Sequence, residues 1–149
     1  MQLFFYNAFS FSKACFSQWY ASTFTEDGIQ YLTSEHYMMA EKAKLFDDTE
    51  NYQKIIHATN LGEAKALGRN VLNFDEVIWL AQRFEIVVRG NFLKFSQNKA
   101  LGKFLANTGK RVLIEASPID KIWGVGLAID DPNIENPNYW QGLNLLGFA

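Results

Sequence analysis

Two carboxylates and a lysine stand beside aromatic rings at well-separated places in this chain of 149 residues. Glu35 lies in the segment Thr33-Ser34-Glu35-His36-Tyr37, with Lys42 two helical turns further on. Trp79 and Arg83 share a mid-chain segment, and Asp120 and Trp123 fall in the run from Glu115 to Gly124. These are groups that a hydrolase needs to separate a sugar from a flat base. One carboxylate supports positive charge developing on the sugar and readies a water, a second acid or a lysine helps the base depart, and an indole stacks on its face. Each residue also has an ordinary role. An acid such as Glu35 is favoured in the first turn of a helix, and an aspartate such as Asp120 shapes turns. A tryptophan such as Trp79 in an apolar helix fills a core, and a lone histidine such as His36 is a satisfied structural residue more often than a ligand.

The elements that must position these groups are marked by periodicity and by turn and cap residues. Leu3 to Tyr6 is a short apolar run that reads as a strand, and Ser22 to Thr25 faces Ile29 to Leu32 across the Asp27-Gly28 turn signal, which predicts a hairpin. From Ser34, a plausible N-cap, Met39, Ala40, Ala43 and Phe46 repeat at helical spacing. This puts Glu35 in the first turn and Lys42 on the same side. Asp47 ahead of Glu50 predicts the start of a second helix, and Asn60 ahead of Glu63 the start of a third over Ala64 to Gly68. The longest helical signal runs from about Asp75 to Phe95, with Val77, Leu80, Phe84, Val88, Phe92 and Phe95 on one apolar face. A short helix over Asn98 to Ala106 and a buried strand at Val112-Leu113-Ile114 follow. From Ser117 to Gly147 the three prolines, several glycines and asparagines, and the rings of Trp123, Tyr139 and Trp140 predict a long ordered loop region.

Length and composition fit one globular α+β domain over residues 1–149, with 48% hydrophobic and 15% aromatic residues, enough for ring-lined pockets. The net charge of −2 provides no basic stripe for general nucleic-acid binding. A single cysteine, Cys15, excludes an intramolecular disulfide, and with only His36 and His57 beside it neither a metal nor a cofactor is expected. The opening Met1 to Tyr6 lacks the basic start and apolar core of a leader, and no apolar run reaches membrane-spanning length, so a cytoplasmic setting without membrane partners is expected. Arg69 after Gly68, and Arg89 before Gly90, are candidate phosphate clamps, although neither lies in a phosphate-loop pattern. A nucleophile elbow with a Ser-His-Asp order is missing as well.

The ordered set of motifs resembles the NADAR, or YbiA-like, family over nearly the whole chain. Phe16-Ser17, Asp27-Gly28 leading into Thr33-Ser34-Glu35-His36-Tyr37, and Ala40-Glu41-Lys42-Ala43 open the match. Ala64 to Arg69, Trp79 with Arg83, Lys94 to Asn98, Ile114-Glu115-Ala116, Asp120 with Trp123-Gly124, and Gly142 with Asn144 continue it. The resemblance implies an α+β domain whose members hydrolyse N-glycosidic bonds, some on ribosylamino-pyrimidine intermediates of riboflavin synthesis and others removing ADP-ribose from guanine. By the same resemblance Glu35, Asp120 and Lys42 are the catalytic candidates, while Trp79, Trp123, Gly124, Arg69, Phe16, Ser17 and Asn144 are candidates for holding substrate. The expected partner is a ribosyl-base or ADP-ribosyl small molecule, or ADP-ribosylated DNA, and the alternative is a module that binds ADP-ribose without cleaving it. Two departures stand out: Gln18 where the family usually has asparagine, and Val87-Val88 where it commonly has methionine. The catalytic candidates are expected to line one cleft, rimmed by the rings and amides of the segment from Asp130 to Gly142.

Overall fold

The computed structural model describes residues 3–6 through their backbone and residues 14–149 with their side chains. In chain order the elements are β1 (Leu3–Tyr6), a 3-10 turn (Ala14–Phe16), β2 (Phe24–Glu26), β3 (Ile29–Tyr31), α1 (Ser34–Leu45), α2 (Thr49–His57), α3 (Leu61–Arg69), α4 (Glu76–Gln97), α5 (Lys99–Ala106), β4 (Val112–Glu115), a second 3-10 turn (Pro137–Tyr139) and α6 (Leu145–Phe148). Helices with a few short strands make up the expected α+β architecture. By their internal contacts the residues form two compact units, Gln18–Gly102, and Met1–Ser17 with Lys103–Ala149. No helix among the described residues is long and apolar enough to cross a membrane.

In the unit Gln18–Gly102, β2 and β3 pair antiparallel with Phe24 opposite Tyr31 and Glu26 opposite Ile29. The turn is the expected Asp27-Gly28, with φ of 50° and 79°, the left-handed pair that a tight hairpin needs and that asparagine-like residues and glycine tolerate. Helix α1 is the axis of this unit. Its buried residues, Ser34 to Ala40 and Ala43, lie on every side of the helix, because β3, α2, α3 and α4 all pack on it. The close approach of α4 depends on Gly90, where an added Cβ would stand 2.7 Å from Cδ1 of Tyr37. Tyr37 in turn packs with Phe24 and Tyr31 at centroid distances of 5.8 and 5.0 Å.

Two caps lie one residue away from the expected positions. Thr33, not Ser34, caps α1, its Oγ1 accepting the N–H of His36 at 3.2 Å. Asp48, not Asp47, caps α2 by accepting the N–H of Asn51 at 3.1 Å, while Asp47 occupies the left-handed turn before it at φ 55°. In both places adjacent residues can cap, and the backbone conformation chooses between them. Asn60 caps α3 through the N–H of Glu63, as expected, and Asp75, where the long helical signal was expected to begin, caps α4.

The orientation of α4 corrects the sequence reading. Of the apolar stripe, Val77 is 77% exposed, Phe92 is 61% exposed and Leu80 is also exposed. The buried residues of the helix are instead Arg83, Val87, Gly90, Asn91, Leu93 and Lys94. A wider apolar stripe was therefore not decisive. The inward side is the one whose glycine lets α1 approach, and it buries Arg83, Asn91 and Lys94 along with its apolar residues.

In the other unit β1 and β4 run parallel, with Leu3 opposite Val112 and Tyr6 opposite Glu115. Ile114, Ala116, Val125, Leu127 and Ile134 form the core, with Trp140 packed against them. The long loop is ordered as expected. Val125 donates its N–H to Glu115, Gln141 and Gly142 donate to Val125, and Asn144 donates to Gly124, so the backbone is held without forming strands. The indole N–H of Trp140 pins the loop by donating to the Ile134 carbonyl at 2.8 Å. The short helix α6 lies where loop was expected, and it packs on β4.

Candidate active site

Within the unit Gln18–Gly102 the candidate groups gather around α1. Glu35 opens the helix, in its first turn, and is only 5% exposed. Its N–H donates to the carbonyl of Gln18 at 3.0 Å, and the Gln18 amide donates to Asn91 Oδ1 on α4 at 2.8 Å. Gln18, the departure from the family pattern, thus ties the entry of α1 to α4. Arg83 and Lys94 share that buried face of α4, and Lys94 is fully buried. Buried charges persist only with partners, and Glu35, Arg83 and Lys94 are all engaged.

Lys42 lies on the same side of α1, about 10 Å further along its axis at the rise of an α-helix. Its Nζ donates to the Gly68 carbonyl at 2.8 Å, 4.3 Å from the centroid of Phe74 and 5.5 Å from that of Trp79. Burial pulls the pKa of Lys42 below the usual lysine value, because the ammonium loses hydration that two ring faces and one carbonyl replace only in part. Trp79 stands in the first turn of α4, its N–H donating to Asp75. Arg69 ends α3 directly after Gly68 and is exposed. Phe74 is a member of this cluster that sequence reasoning missed. Its only signal was a ring one residue before the Asp75 cap.

His36 has the structural role: it is buried, its Nδ1 lies 2.8 Å from Thr33 Oγ1, and burial holds its pKa down. Arg89, the other suggested phosphate clamp, is bonded through Nε to Glu26 at 2.7 Å.

In the other unit Asp120 and Trp123 are joined by the turn that Asp120 makes. Asp120 Oδ1 accepts the N–H groups of Ile122 at 2.9 Å and Trp123 at 2.8 Å. The ordinary turn-shaping role of Asp120 is therefore real, and it orients Trp123. Gly124 is a packing requirement: a Cβ there would stand 2.9 Å from the carbonyl oxygens of both Glu115 and Asp120. Asn144, a candidate for holding substrate, has a structural role. It is fully buried, in the left-handed region at φ 52°, and its amide accepts the N–H of Glu115 at 3.0 Å while donating to Leu113 at 2.9 Å. It is a clamp on β4. Phe16 is buried, 5.5 Å from the Phe104 ring, and Ser17 is buried beside it.

Glu115 is the titratable group in this unit that sequence reasoning passed over. Burial, followed by the negative charge of Asp120, pushes its carboxyl up to about 7. The available signal was a carboxylate closing a strand a few residues ahead of another acid, and its burial depends on tertiary packing that spacing does not reveal.

Residues 4–149 match the family model described as NADAR domain. An N-glycosidase of Acanthamoeba polyphaga mimivirus is 45% identical over 137 residues, which covers 89% of this chain and 81% of that protein. A riboflavin biosynthesis protein of Vibrio vulnificus is 33% identical over 113 residues, covering 74% of this chain and 29% of its own length. The NMR structure of the E. coli protein YbiA superposes with a TM-score of 0.77 at 27% identity, covering 99% of this chain and 81% of that one.

Proposed function

The chain belongs to the NADAR domain family, and we propose that it is an N-glycosidase hydrolysing the bond between a ribosyl carbon and a nitrogen of a guanine-like base. The observation that carries this reading is the 45% identity, across most of both chains, to a protein named N-glycosidase. The chemistry of the candidate groups supports it. As the C–N bond breaks, its electron pair goes to the base nitrogen and positive charge builds on the sugar. A carboxylate, Glu35 or Asp120, stabilises that charge and takes a proton from the attacking water. Lys42 protonates the departing base, a role helped by burial that brings its ammonium closer to the pH at which it must give up a proton. Trp79 or Trp123 offers a face for the base or sugar, with stacking worth about 1–3 kcal/mol per base.

The substrate we favour is ADP-ribosylated guanine, as a nucleotide or in DNA. Its support is the segment ahead of Asn144, where Asn133, Asn136, Asn138 and Tyr139 are all exposed. These amides and a ring suit an extended conjugate better than a small pyrimidine intermediate. With a net charge of −2, access to DNA would be through an unpaired or flipped base rather than a general duplex surface. The second reading, hydrolysis of ribosylamino-pyrimidine intermediates, draws on the similarity to the Vibrio vulnificus riboflavin biosynthesis protein.

Parallel incubation with an ADP-ribosylated guanine oligonucleotide and with a ribosylamino-pyrimidine phosphate decides between them. Faster release of guanine-bearing product supports the first reading, and cleavage of the pyrimidine alone reverses the order. Tight ADP-ribose binding with cleavage of neither would favour a binding module.

A further inference from the structure

The stretch of α1 between Glu35 and Lys42 has an aromatic ring paired with a lysine at each end. At the Glu35 end the chain enters through Gln18, whose carbonyl accepts the Glu35 N–H at 3.0 Å. The next residue, Trp19, is 47% exposed, and the ammonium of Lys65 on α3 lies 4.6 Å from its ring centroid. At the other end Lys42 stands against Phe74 and Trp79, at 4.3 and 5.5 Å. Helix α3 connects the two ends: Met39 fills the space that a Cβ on Gly68 would need, and Lys42 reaches the Gly68 carbonyl. Lys65 and Arg69, four residues apart, share one side of α3 and are separated by about 6 Å along its axis. Lys65 is at the Trp19 end, and exposed Arg69 directly follows the Gly68 that Lys42 holds. Ring, two cations and ring thus follow one another along α3.

We propose that Trp19 and Lys65 form a second binding subsite, which takes the far end of a substrate built as base, ribose, diphosphate, ribose and base. The inference deepens the N-glycosidase reading and rests on it for the direction of the substrate. Where Lys42 protonates the departing base beside Trp79, the ribosyl diphosphate extends along α3 and the remote base reaches Trp19. An exposed indole stacks on a flat base whatever its identity, and Lys65 brings a cation to the side of that ring where the diphosphate arrives. Two cations on one side of a helix repel each other mildly, and an anion of two linked phosphates relieves that repulsion while gaining charge-assisted hydrogen bonds. A ribosylamino-pyrimidine phosphate has neither the second base nor the second phosphate, so this subsite adds nothing to its binding. Trp19 and Lys65 therefore determine specificity for the long conjugate and take no part in breaking the bond.

Isothermal titration of the full chain with ADP-ribose, and with ADP as the probe that lacks the second ribose, tests the subsite without turnover. Trp19→Ala should weaken both ligands by about 5–150-fold, the loss of one stacked base, with far-UV circular dichroism unchanged. Lys65→Gln keeps most of the stem and should also weaken both, while reducing the salt dependence of binding. On an ADP-ribosylated guanine nucleotide the two variants should raise KM with kcat held. Failure of the wild type to bind ADP-ribose overturns the proposal. So does wild-type affinity in the variants, which would leave the contact of lysine and ring as surface packing. A fall of kcat with KM held would make Trp19 a support for Glu35 and overturn it too. Should Trp19→Ala not fold, Lys65→Gln decides. Absence of turnover with the binding losses as expected would count against the glycosidase reading and leave the subsite standing.

Discussion

The ammonium of Lys42 lies 5.5 Å from the centroid of the Trp79 ring and 4.3 Å from that of Phe74, while it donates to the carbonyl of Gly68. A lysine held in this way is stabilised by ring faces yet has lost much of its water, which explains why its pKa falls. The cluster therefore combines two ring faces with an ammonium tuned downward.

Replacing Lys42 by Met keeps the stem and its ring contacts but removes the charge. Turnover of a ribosyl-base substrate should fall by about 10²–10⁴-fold, the range of a lost general acid, while the thermal midpoint holds or rises because a half-buried, partly dehydrated charge is gone. In the wild type, activity that needs the ammonium should be lost on the alkaline side at a pH below the ordinary lysine value. A pH–rate profile on both proteins checks this.

Glu35→Gln preserves shape at a buried helix start and should lower kcat by about 10²–10⁴-fold with far-UV circular dichroism unchanged. If kcat holds, the carboxylate role passes to Asp120.

Glu115 links stability to pH. Its folded value of about 7 exceeds the ordinary 4.5, so between those values the folded state binds more protons than the unfolded one. Its contribution to stability is therefore lost as pH rises through that window. From pH 4 to pH 8 the wild type should lose about 3 kcal/mol relative to Glu115→Gln, read from urea unfolding of both proteins at each pH.

Asn144→Ala should destabilise by about 3 kcal/mol, since it leaves the Glu115 N–H and the Leu113 carbonyl without their partner and puts alanine at positive φ. Asn144→Gly removes the same hydrogen bonds without the backbone strain, so it should cost less. Chemical denaturation of the two variants separates the terms.

Local signals in the sequence were read well where local physics decides the outcome. The Asp27-Gly28 turn, the Asn60 cap, the start of α4 near Asp75, the Glu35 position and the strand at Val112 all follow from residues close in sequence. The face of α4 was misread because periodicity shows which residues share a side, not which side a neighbour covers, and Gly90 against Tyr37 decided that. The family motifs pointed to Lys42, Trp79, Asp120 and Trp123, and the structure joins them as two pairs, Lys42 with Trp79 and Asp120 with Trp123. Nothing in spacing revealed that Asn144 clamps β4 or that Glu115 is buried beside another acid, since both depend on contacts across about thirty residues or on the depth of a core.

The central claim is that this chain hydrolyses a ribosyl C–N bond. Its most direct test is incubation of the wild-type protein with ADP-ribosylated guanine nucleotide in water enriched in oxygen-18, followed by mass spectrometry of every product. The account predicts free guanine base or nucleotide and an ADP-ribose carrying one heavy oxygen at the anomeric carbon, with both products reduced in Glu35→Gln. Recovery of the conjugate intact at enzyme concentrations that saturate its binding, together with an intact ribosylamino-pyrimidine phosphate in a parallel incubation, would contradict it.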